Sequence, residues 1–203
     1  MDHIFQKGKN DSKPVIFMLH GTGGTEKDLI PLVKKLDPEA SVLSVRGSVV
    51  ETKDYSFVKI VDGLIDEEDL SYRTEKMYQF IHEAAEKYQF NRKNIVALGL
   101  TNGATIATSL LFHYSDALKG AILYHPNIPR RDIQLPNLTG AEVFIGASRN
   151  NDFCPQRETI ELESMFQKAN ANVTLHWENS KHYLSGEIFA ASRAWYEEKF
   201  NNV

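Results

Sequence analysis

The segment that most constrains the fold is the pentapeptide Gly99-Leu100-Thr101-Asn102-Gly103. The apolar run Asn94–Leu98 precedes it and is typical of a buried parallel strand. Residues 104–112 follow it, are rich in Ala, Leu and Ile, and are compatible with a helix. The flanking glycines allow a turn so sharp that a side chain at either position would strike the neighbouring strand or helix. The sequence therefore predicts a strand, a tight turn and a helix, with Thr101 at the turn.

The pentapeptide has the frame G-x-S-x-G, in which a nucleophilic serine lies between a strand and a helix. Thr101 stands where that frame has serine. Threonine keeps the hydroxyl group and can act as a nucleophile, but its β-branched side chain tolerates a strained backbone poorly. A glycine-bounded turn without any chemistry would look the same, so the frame alone leaves both interpretations open.

Strand-like apolar runs alternate with helical patterns along the rest of the chain. The runs are Val15–Leu19, Ser41–Val45, Ile95–Leu98, Ala121–Tyr124, Val143–Ile145 and Val173–Trp177, with Ile4–Gln6 as an edge candidate. Amphipathic spacing predicts helices over Leu29–Leu36 and Met77–Tyr88, and further helices fit Arg157–Asn170 and Ser185–Phe200. This alternation predicts an α/β fold with a mainly parallel sheet of about seven strands and helices on both faces.

Two local expectations accompany that fold. Thr25 and Asp28 form a plausible capping box at the start of the first helix. The stretch Gly47–Asp69 lacks a clear pattern and is expected to be a loop over the site, with an apolar group that includes Tyr55, Phe57, Val58 and Ile60.

Bulk properties exclude several classes of protein. The 203 residues predict one domain over residues 1–203. A net charge of −4 gives no reason to expect nucleic acid or an anionic membrane as partner, and Arg130-Arg131 is interpreted as a solvated doublet. Residues 1–13 lack the apolar segment of a signal peptide, and no run has transmembrane length. Cys154 is the single cysteine, so no internal disulfide forms, and we expect a cytoplasmic protein.

The glycine-rich segment Leu19–Gly24 directly follows the first strong strand. Backbone N–H groups in such a turn can stabilise a developing oxyanion. We expect the two donors to be the N–H groups of Thr22 and Asn102. A tight turn that merely needs glycine is the alternative.

A base and an acid are also expected at strand ends. His182 follows the strand Val173–Trp177 and comes after both the nucleophile and the acid in the chain, which makes it the candidate general base. Asp152 follows the strand Val143–Ile145, and its carboxylate would hold the imidazole of His182 in the required tautomer. A solvated turn is the alternative for Asp152.

Two other histidines follow strands. His125 is a candidate for lining the pocket, whereas His20 is expected to fix its own loop through side-chain hydrogen bonds.

The chain resembles the phospholipase/carboxylesterase family of α/β-hydrolases over nearly its whole length, and within it the small bacterial hydrolases associated with hydroquinone resistance. The segments that carry the resemblance are Leu19–Gly24, Val42–Gly47, Asp66–Leu70, His125-Pro126, Pro129–Arg131 and Leu175–Glu178. The resemblance implies an α/β-hydrolase fold without a large lid. It also implies an esterase for small carboxylic esters or thioesters that uses no metal and no organic cofactor.

The chain departs from this family pattern at two positions. The family has serine where this chain has Thr101. Its acid lies four residues before a proline, and counting back from Pro155 gives Asn151, with Asp152 one place late. Asn151 is therefore the alternative to Asp152 at the acid position.

Three hypotheses follow. The chain is a slow esterase that uses Thr101, His182 and Asp152, or a disarmed hydrolase that binds a small aromatic or acyl ligand, or a thiol sensor centred on Cys154. In the first two cases the partner is a small molecule, and a homodimer is left open. No nucleic acid or membrane insertion is expected.

Overall fold

The structure is a computed structural model that describes residues 1–51, 54–179 and 184–201. Seven strands form one sheet. They are β1 (His3–Gln6), β2 (Val15–Leu19), β3 (Val42–Val45), β8 (Ile95–Leu100), β9 (Gly120–Tyr124), β10 (Glu142–Ser148) and β11 (Asn172–Glu178), and β4 to β7 lie outside this sheet. Their order in the sheet is β1-β3-β2-β8-β9-β10-β11. Only β1 is antiparallel to its neighbour, and the other pairs are parallel.

Helices cover both faces of this sheet. One face packs against α2 (Glu67–Tyr88), α3 (Asn102–His113) and α4 (Gln156–Lys168), and the other against α1 (Ile30–Leu36) and α5 (Gly186–Phe200). The central strands are buried throughout, as expected for parallel strands covered on both sides. The predicted mainly parallel sheet with helices on both faces is confirmed. Among the described helices, none is at once long enough and apolar enough to cross a bilayer.

The stretch that lacked a sequence pattern forms two small hairpins. β4 (Val49–Glu51) pairs with β5 (Asp54–Ser56), and β6 (Ile60–Val61) pairs with β7 (Leu64–Ile65). Asp62 and Gly63 connect the second pair with φ angles of 52° and 79°, as an Asp-Gly turn with two positive φ angles requires. Asp-Gly between apolar residues was thus a hairpin signal in the sequence.

The apolar side chains of this stretch do not all face the site. Phe57 and Val58 are buried in the core on the α2 side of the sheet, and the ring of Tyr55 lies 4.9 Å from the guanidinium of Arg46. Of the four residues proposed to cover the site, only Ile60 borders the cavity described below.

The predicted capping box at α1 is wrong. Thr25 and Asp28 do bond to each other, but they do so in a turn before the helix, with the Thr25 N–H donating to Asp28 Oδ2 over 2.9 Å. The N-cap of α1 is Leu29, which makes no side-chain cap. Pro31 in the first turn needs no N–H acceptor, so the helix begins there without a polar cap.

Candidate active site

Thr101 occupies a sharp turn between β8 and α3. Its backbone has φ 48° and ψ −111°, a conformation that β-branched residues rarely adopt. The turn is held by two backbone bonds, one from the Thr101 N–H to the Tyr124 carbonyl and one from the Thr105 N–H to the Thr101 carbonyl. Strain of this kind costs on the order of 1–3 kcal/mol and persists only where the surroundings enforce it.

The two flanking glycines show what enforces the turn. A Cβ atom on Gly99 would lie 2.6 Å from the Cα atom of Ala104 in α3. A Cβ atom on Gly103 would lie 2.0 Å from the carbonyl oxygen of Leu19 in β2. Strand and helix therefore approach so closely that only glycine fits at either position.

Thr101 borders a cavity of about 690 Å³ at the carboxyl ends of the strands, where ligands bind in parallel α/β sheets. This volume is typical of small-molecule sites. The side chains around it are apolar or neutral and polar. The cavity is lined by Gly21, Thr22, Ile60, Gly63, Leu100, Thr101, Asn102, His125, Asn127, Asn151, Phe153 and Cys154.

The glycine-rich loop after β2 lies against the Thr101 hydroxyl. A Cβ atom on Gly21 would be 2.9 Å from Thr101 Oγ1, so the hydroxyl oxygen is directed at this loop. Asn102, at the start of α3, connects this loop to β5. Its Nδ2 donates to Thr22 Oγ1 over 2.8 Å and to Ser56 Oγ over 2.9 Å. In the part of the chain that the structure describes, the N–H groups of Thr22 and Asn102 donate to no protein acceptor.

His20 fixes this loop from behind, as predicted. The Gly47 N–H donates to His20 Nε2 over 2.9 Å, so Nδ1 carries the proton and donates to the Gly21 carbonyl over 2.6 Å. The ring is buried, and this burial lowers the pKa of His20 below its ordinary value. The neutral tautomer is the one that both bonds require.

The loop after β10 separates the two acid candidates. Asn151 borders the same cavity as Thr101 and also an adjoining recess beside Arg149 and Gln156, whereas Asp152 is exposed and borders the recess but not the cavity. Asn151 Oδ1 accepts the backbone N–H groups of Phe153 and Cys154, at 2.9 and 3.2 Å. The loop thus closes as an Asx-type turn around the oxygen of Asn151.

His182 lies outside the described residues. The segment before it is joined to the acid loop by two bonds. The Arg149 N–H donates to the Glu178 carbonyl, and Asn150 Nδ2 donates to the Asn179 carbonyl over 2.7 Å. His125, the other histidine considered for the pocket, is buried and borders the cavity.

Cys154 is unsuited to thiol chemistry. It is buried, its Sγ donates to the Pro126 carbonyl over 3.1 Å, and burial raises the pKa of its thiol to about 11. The reactive form of cysteine is the thiolate, which is scarce at neutral pH under these conditions. The structure therefore argues against a sensor based on Cys154.

The arginine doublet is engaged in surface ion pairs. Arg130 pairs with Asp132 and Glu67, and Arg131 pairs with Glu158 and Glu161. This agrees with a solvated doublet. No group of three or more His, Cys, Asp or Glu side chains among the described residues is arranged to hold a metal ion.

Sequence reasoning missed Ser56, Asn127 and Phe153. Ser56 lies on a three-residue strand and is the second acceptor of Asn102, with no local signal for that role. Asn127 and Phe153 border the cavity, and both are within three residues of a residue already singled out at a strand end. Proximity to those strand ends was the one available signal.

The fold, the turn at Thr101 and the loop at Gly21 define an α/β-hydrolase of the carboxylesterase type. The chain belongs to the dienelactone hydrolase family, whose profile matches residues 50–185. It is 46% identical over 199 residues to the Bacillus subtilis (strain 168) protein described as "Putative hydrolase MhqD", with 98% of each chain covered.

Solved structures agree with this assignment. A Bacillus cereus carboxylesterase is 53% identical and superposes with a TM-score of 0.96 over 98% of this chain and 95% of its own. The protein Atu2452 of unknown function from Agrobacterium tumefaciens str. C58 is 29% identical, with a TM-score of 0.89 over 97% and 96% of the two chains. The resemblance to carboxylesterase-type α/β-hydrolases drawn from the sequence is confirmed.

Proposed function

We propose that this protein is a slow hydrolase of small carboxylic esters or thioesters, with Thr101 as nucleophile. The observation that carries the proposal is the position of Thr101 Oγ1, which borders the cavity and is directed at the loop at Gly21. The N–H groups of Thr22 and Asn102 would stabilise the oxyanion of the tetrahedral intermediate. Relationship to a carboxylesterase at 53% identity supports the reaction class.

The reaction would proceed in two steps. Thr101 Oγ1 attacks the ester carbonyl carbon while His182 takes the hydroxyl proton, and the alcohol or thiol leaves with that proton. Water then attacks the acyl-threonine ester, again through His182, and the carboxylic acid is released. His182 is assigned from chain order and from the family pattern.

Low activity follows from the two altered positions. The methyl group of Thr101 adds bulk beside the attacking oxygen, and a misplacement of about 1 Å lowers a rate by about 10²-fold. Asn151 lies where the family has its acid, and it borders the cavity, whereas Asp152 does not. A neutral amide cannot stabilise an imidazolium as a carboxylate does.

Hydrolysis of p-nitrophenyl acetate and butyrate tests the proposal. We expect slow turnover by the native protein and its loss in Thr101→Ala, with the circular dichroism spectrum unchanged. His182→Ala should lose turnover as well. Turnover that persists unchanged in Thr101→Ala would refute Thr101 as the nucleophile.

A second candidate is a disarmed hydrolase that binds a small aromatic or acyl ligand. Asn151 favours it, because its oxygen is engaged by the Asx-type turn and its amide group then offers only donors to the cavity. A native protein with no turnover that nevertheless binds an acyl compound in the cavity would select this candidate over the slow esterase.

A further inference from the structure

The charge of the residues around the cavity that holds Thr101 limits what the cavity can bind. Among the described residues that line it, none is Asp, Glu, Lys or Arg. Asp152 is the carboxylate nearest in the sequence to the acid position, yet it is exposed in the adjoining recess and does not line the cavity. A site that would carry a fixed negative charge in the family pattern is therefore uncharged over its described lining.

Asn151 does more than remove a charge. Its Oδ1 accepts two backbone N–H groups, which assigns the orientation of the amide from the hydrogen-bond pattern. Nδ2, with its two N–H donors, is then the free end of the side chain. An aspartate in the same turn would present an anionic acceptor in its place. The substitution turns an acceptor into a donor.

The other polar groups in the cavity also include donors that suit an anion. The N–H groups of Thr22 and Asn102 have no acceptor within the described protein, and Asn102 begins the twelve-residue helix α3. The partial positive charge at a helix N-terminus favours an anion there. An esterase places a transient oxyanion at such donors, but a carboxylate oxygen satisfies the same geometry in a stable ligand.

We propose that this cavity binds and retains a short monocarboxylic acid as its carboxylate anion. The N–H groups of Thr22 and Asn102 hold one carboxylate oxygen, and Asn151 supplies a further donor where an anion would have repelled the ligand. The inference rests on the proposed function, since it uses the same oxyanion donors. It adds that the acid product of the reaction stays bound and inhibits turnover.

The lining also indicates what else the ligand carries. Ile60, Leu100 and Phe153 give the cavity an apolar portion that suits a short aliphatic or aromatic tail. The described lining contains no Lys or Arg, so within it a second carboxylate would have no side-chain cation to pair with.

The anionic side chain of Asp54 opposes the binding of an acid. The carboxylate of Asp54 lies 3.5 Å from the position that a Cβ atom on Gly23 would occupy, next to the loop at Thr22. Asp54 is exposed, and water and salt screen an exposed charge strongly. Its repulsion is therefore weaker than that of a carboxylate placed at residue 151 would be.

Isothermal titration calorimetry with sodium butyrate, its neutral analogue butyramide, and succinate tests the proposal on the full-length protein. We expect butyrate to bind at least about tenfold more tightly than butyramide and succinate, since only the monocarboxylate matches the donors without leaving a charge unpaired. Equal affinity for butyrate and butyramide, or no butyrate binding, would overturn the proposal.

Asn151→Asp is the decisive variant. It should weaken butyrate binding at least about tenfold by like-charge repulsion and leave butyramide nearly unaffected. Ile160→Glu is the charge control, because it adds the same charge on an exposed side chain of α4 that does not line the cavity, and butyrate affinity should stay close to native. Native-like butyrate binding by Asn151→Asp would contradict the proposal.

Two further variants keep the test decisive if Asn151→Asp folds poorly. Asn151→Ser stays neutral and can still accept a backbone N–H in the turn, but it lacks the Nδ2 donor. It should therefore bind butyrate more weakly than the native protein and more tightly than Asn151→Asp. Thr101→Ala should lose ester turnover yet keep butyrate affinity, because the backbone donors remain. Loss of butyrate binding in Thr101→Ala would refute the backbone donors, and butyrate binding by Asn151→Ser no tighter than by Asn151→Asp would refute the role of charge at residue 151.

These measurements separate the two proposals. Butyrate binding without any ester turnover in the native protein supports the carboxylate site and refutes the slow esterase. Turnover without butyrate binding, and without inhibition by butyrate, supports the slow esterase and refutes the carboxylate site.

Discussion

The turn at Thr101 and the loop at Asn151 are held in shape by different kinds of contact. At Thr101 the sharp turn depends on the flanking glycines and lies against the adjoining Gly21 loop. At Asn151 the loop is formed by bonds to Oδ1, an oxygen that an asparagine amide and an aspartate carboxylate both have. The two side chains differ only at their other terminal atom.

The difference shows which properties packing protects. The backbone at Thr101 is enforced by its glycine neighbours, where an added Cβ atom would lie 2.0–2.6 Å from other backbone atoms. A serine at residue 101 would therefore differ from the threonine by one methyl group in the same backbone frame. The Asx-type turn at Asn151 accepts either an amide or a carboxylate oxygen. Packing therefore preserves the shape of both regions, and the chemistry at residue 151 depends on one group that the fold does not constrain.

Restoring the acid should have the largest effect. We expect Asn151→Asp to raise kcat for p-nitrophenyl butyrate by up to about 10⁴-fold, the scale of the opposite change in a Ser-His-Asp site. The physical reason is a carboxylate that orients His182 and stabilises its imidazolium. Steady-state kinetics at fixed pH measure the change, and a Tm comparison checks the fold.

Asp152→Asn tells the two loop positions apart. If Asn151 holds the acid position, exchanging both residues (Asn151→Asp with Asp152→Asn) should be as active as Asn151→Asp alone, at the native net charge. Native turnover that disappears in Asp152→Asn would instead assign the acid to Asp152.

Restoring the serine should have the next largest effect. Thr101→Ser removes the methyl group beside the attacking oxygen and relieves part of the backbone strain, so we expect kcat to rise about 10²-fold. The gain should multiply with that of Asn151→Asp if the two regions fail independently. Equal activity of native protein and Thr101→Ser would show that the threonine is a fully competent nucleophile.

The sequence predicted the strand-turn-helix at Thr101 because its glycines, apolar run and helix formers all indicate the same local structure. It could not decide between Asn151 and Asp152, since adjacent loop residues point in directions that only the closed turn defines. The two hairpins were missed because strands of two or three residues are too short to show alternation, although Asp62-Gly63 was a turn signal for the second one. The hydrogen bond from Asn102 to Ser56 could not be predicted from a local pattern, since the two residues are 46 apart in the sequence.

The enforced turn should be sensitive to a single methyl group. Gly103→Ala places a Cβ atom against the Leu19 carbonyl, and we expect a loss of about 1–3 kcal/mol in the free energy of unfolding. Gly186→Ala is the control, since a Cβ atom there meets nothing within 4 Å, and it should be neutral or slightly stabilising. Urea denaturation of both variants measures this, and equal stabilities would refute the packing argument.

The smallest effect concerns pH and the loop at Gly21. Burial lowers the pKa of His20 in the folded protein below its ordinary value of 6.5, so between the two values the unfolded chain binds more protons. The stability that neutral His20 contributes is therefore fully present above about pH 6.5 and is lost as pH falls toward the folded pKa. Protonated Nε2 could no longer accept the Gly47 N–H, so the loop should loosen first.

Urea titrations across this pH range should show native stability falling toward acid more steeply than that of His20→Gln. Glutamine can accept the same N–H but does not titrate, so the difference between the two curves isolates the imidazole. Hydrogen exchange at the Gly47 amide locates the change. If the two curves run parallel, the neutral imidazole of His20 does not hold the loop at Gly21. The shape of that loop would then depend on its glycines and on Asn102 alone.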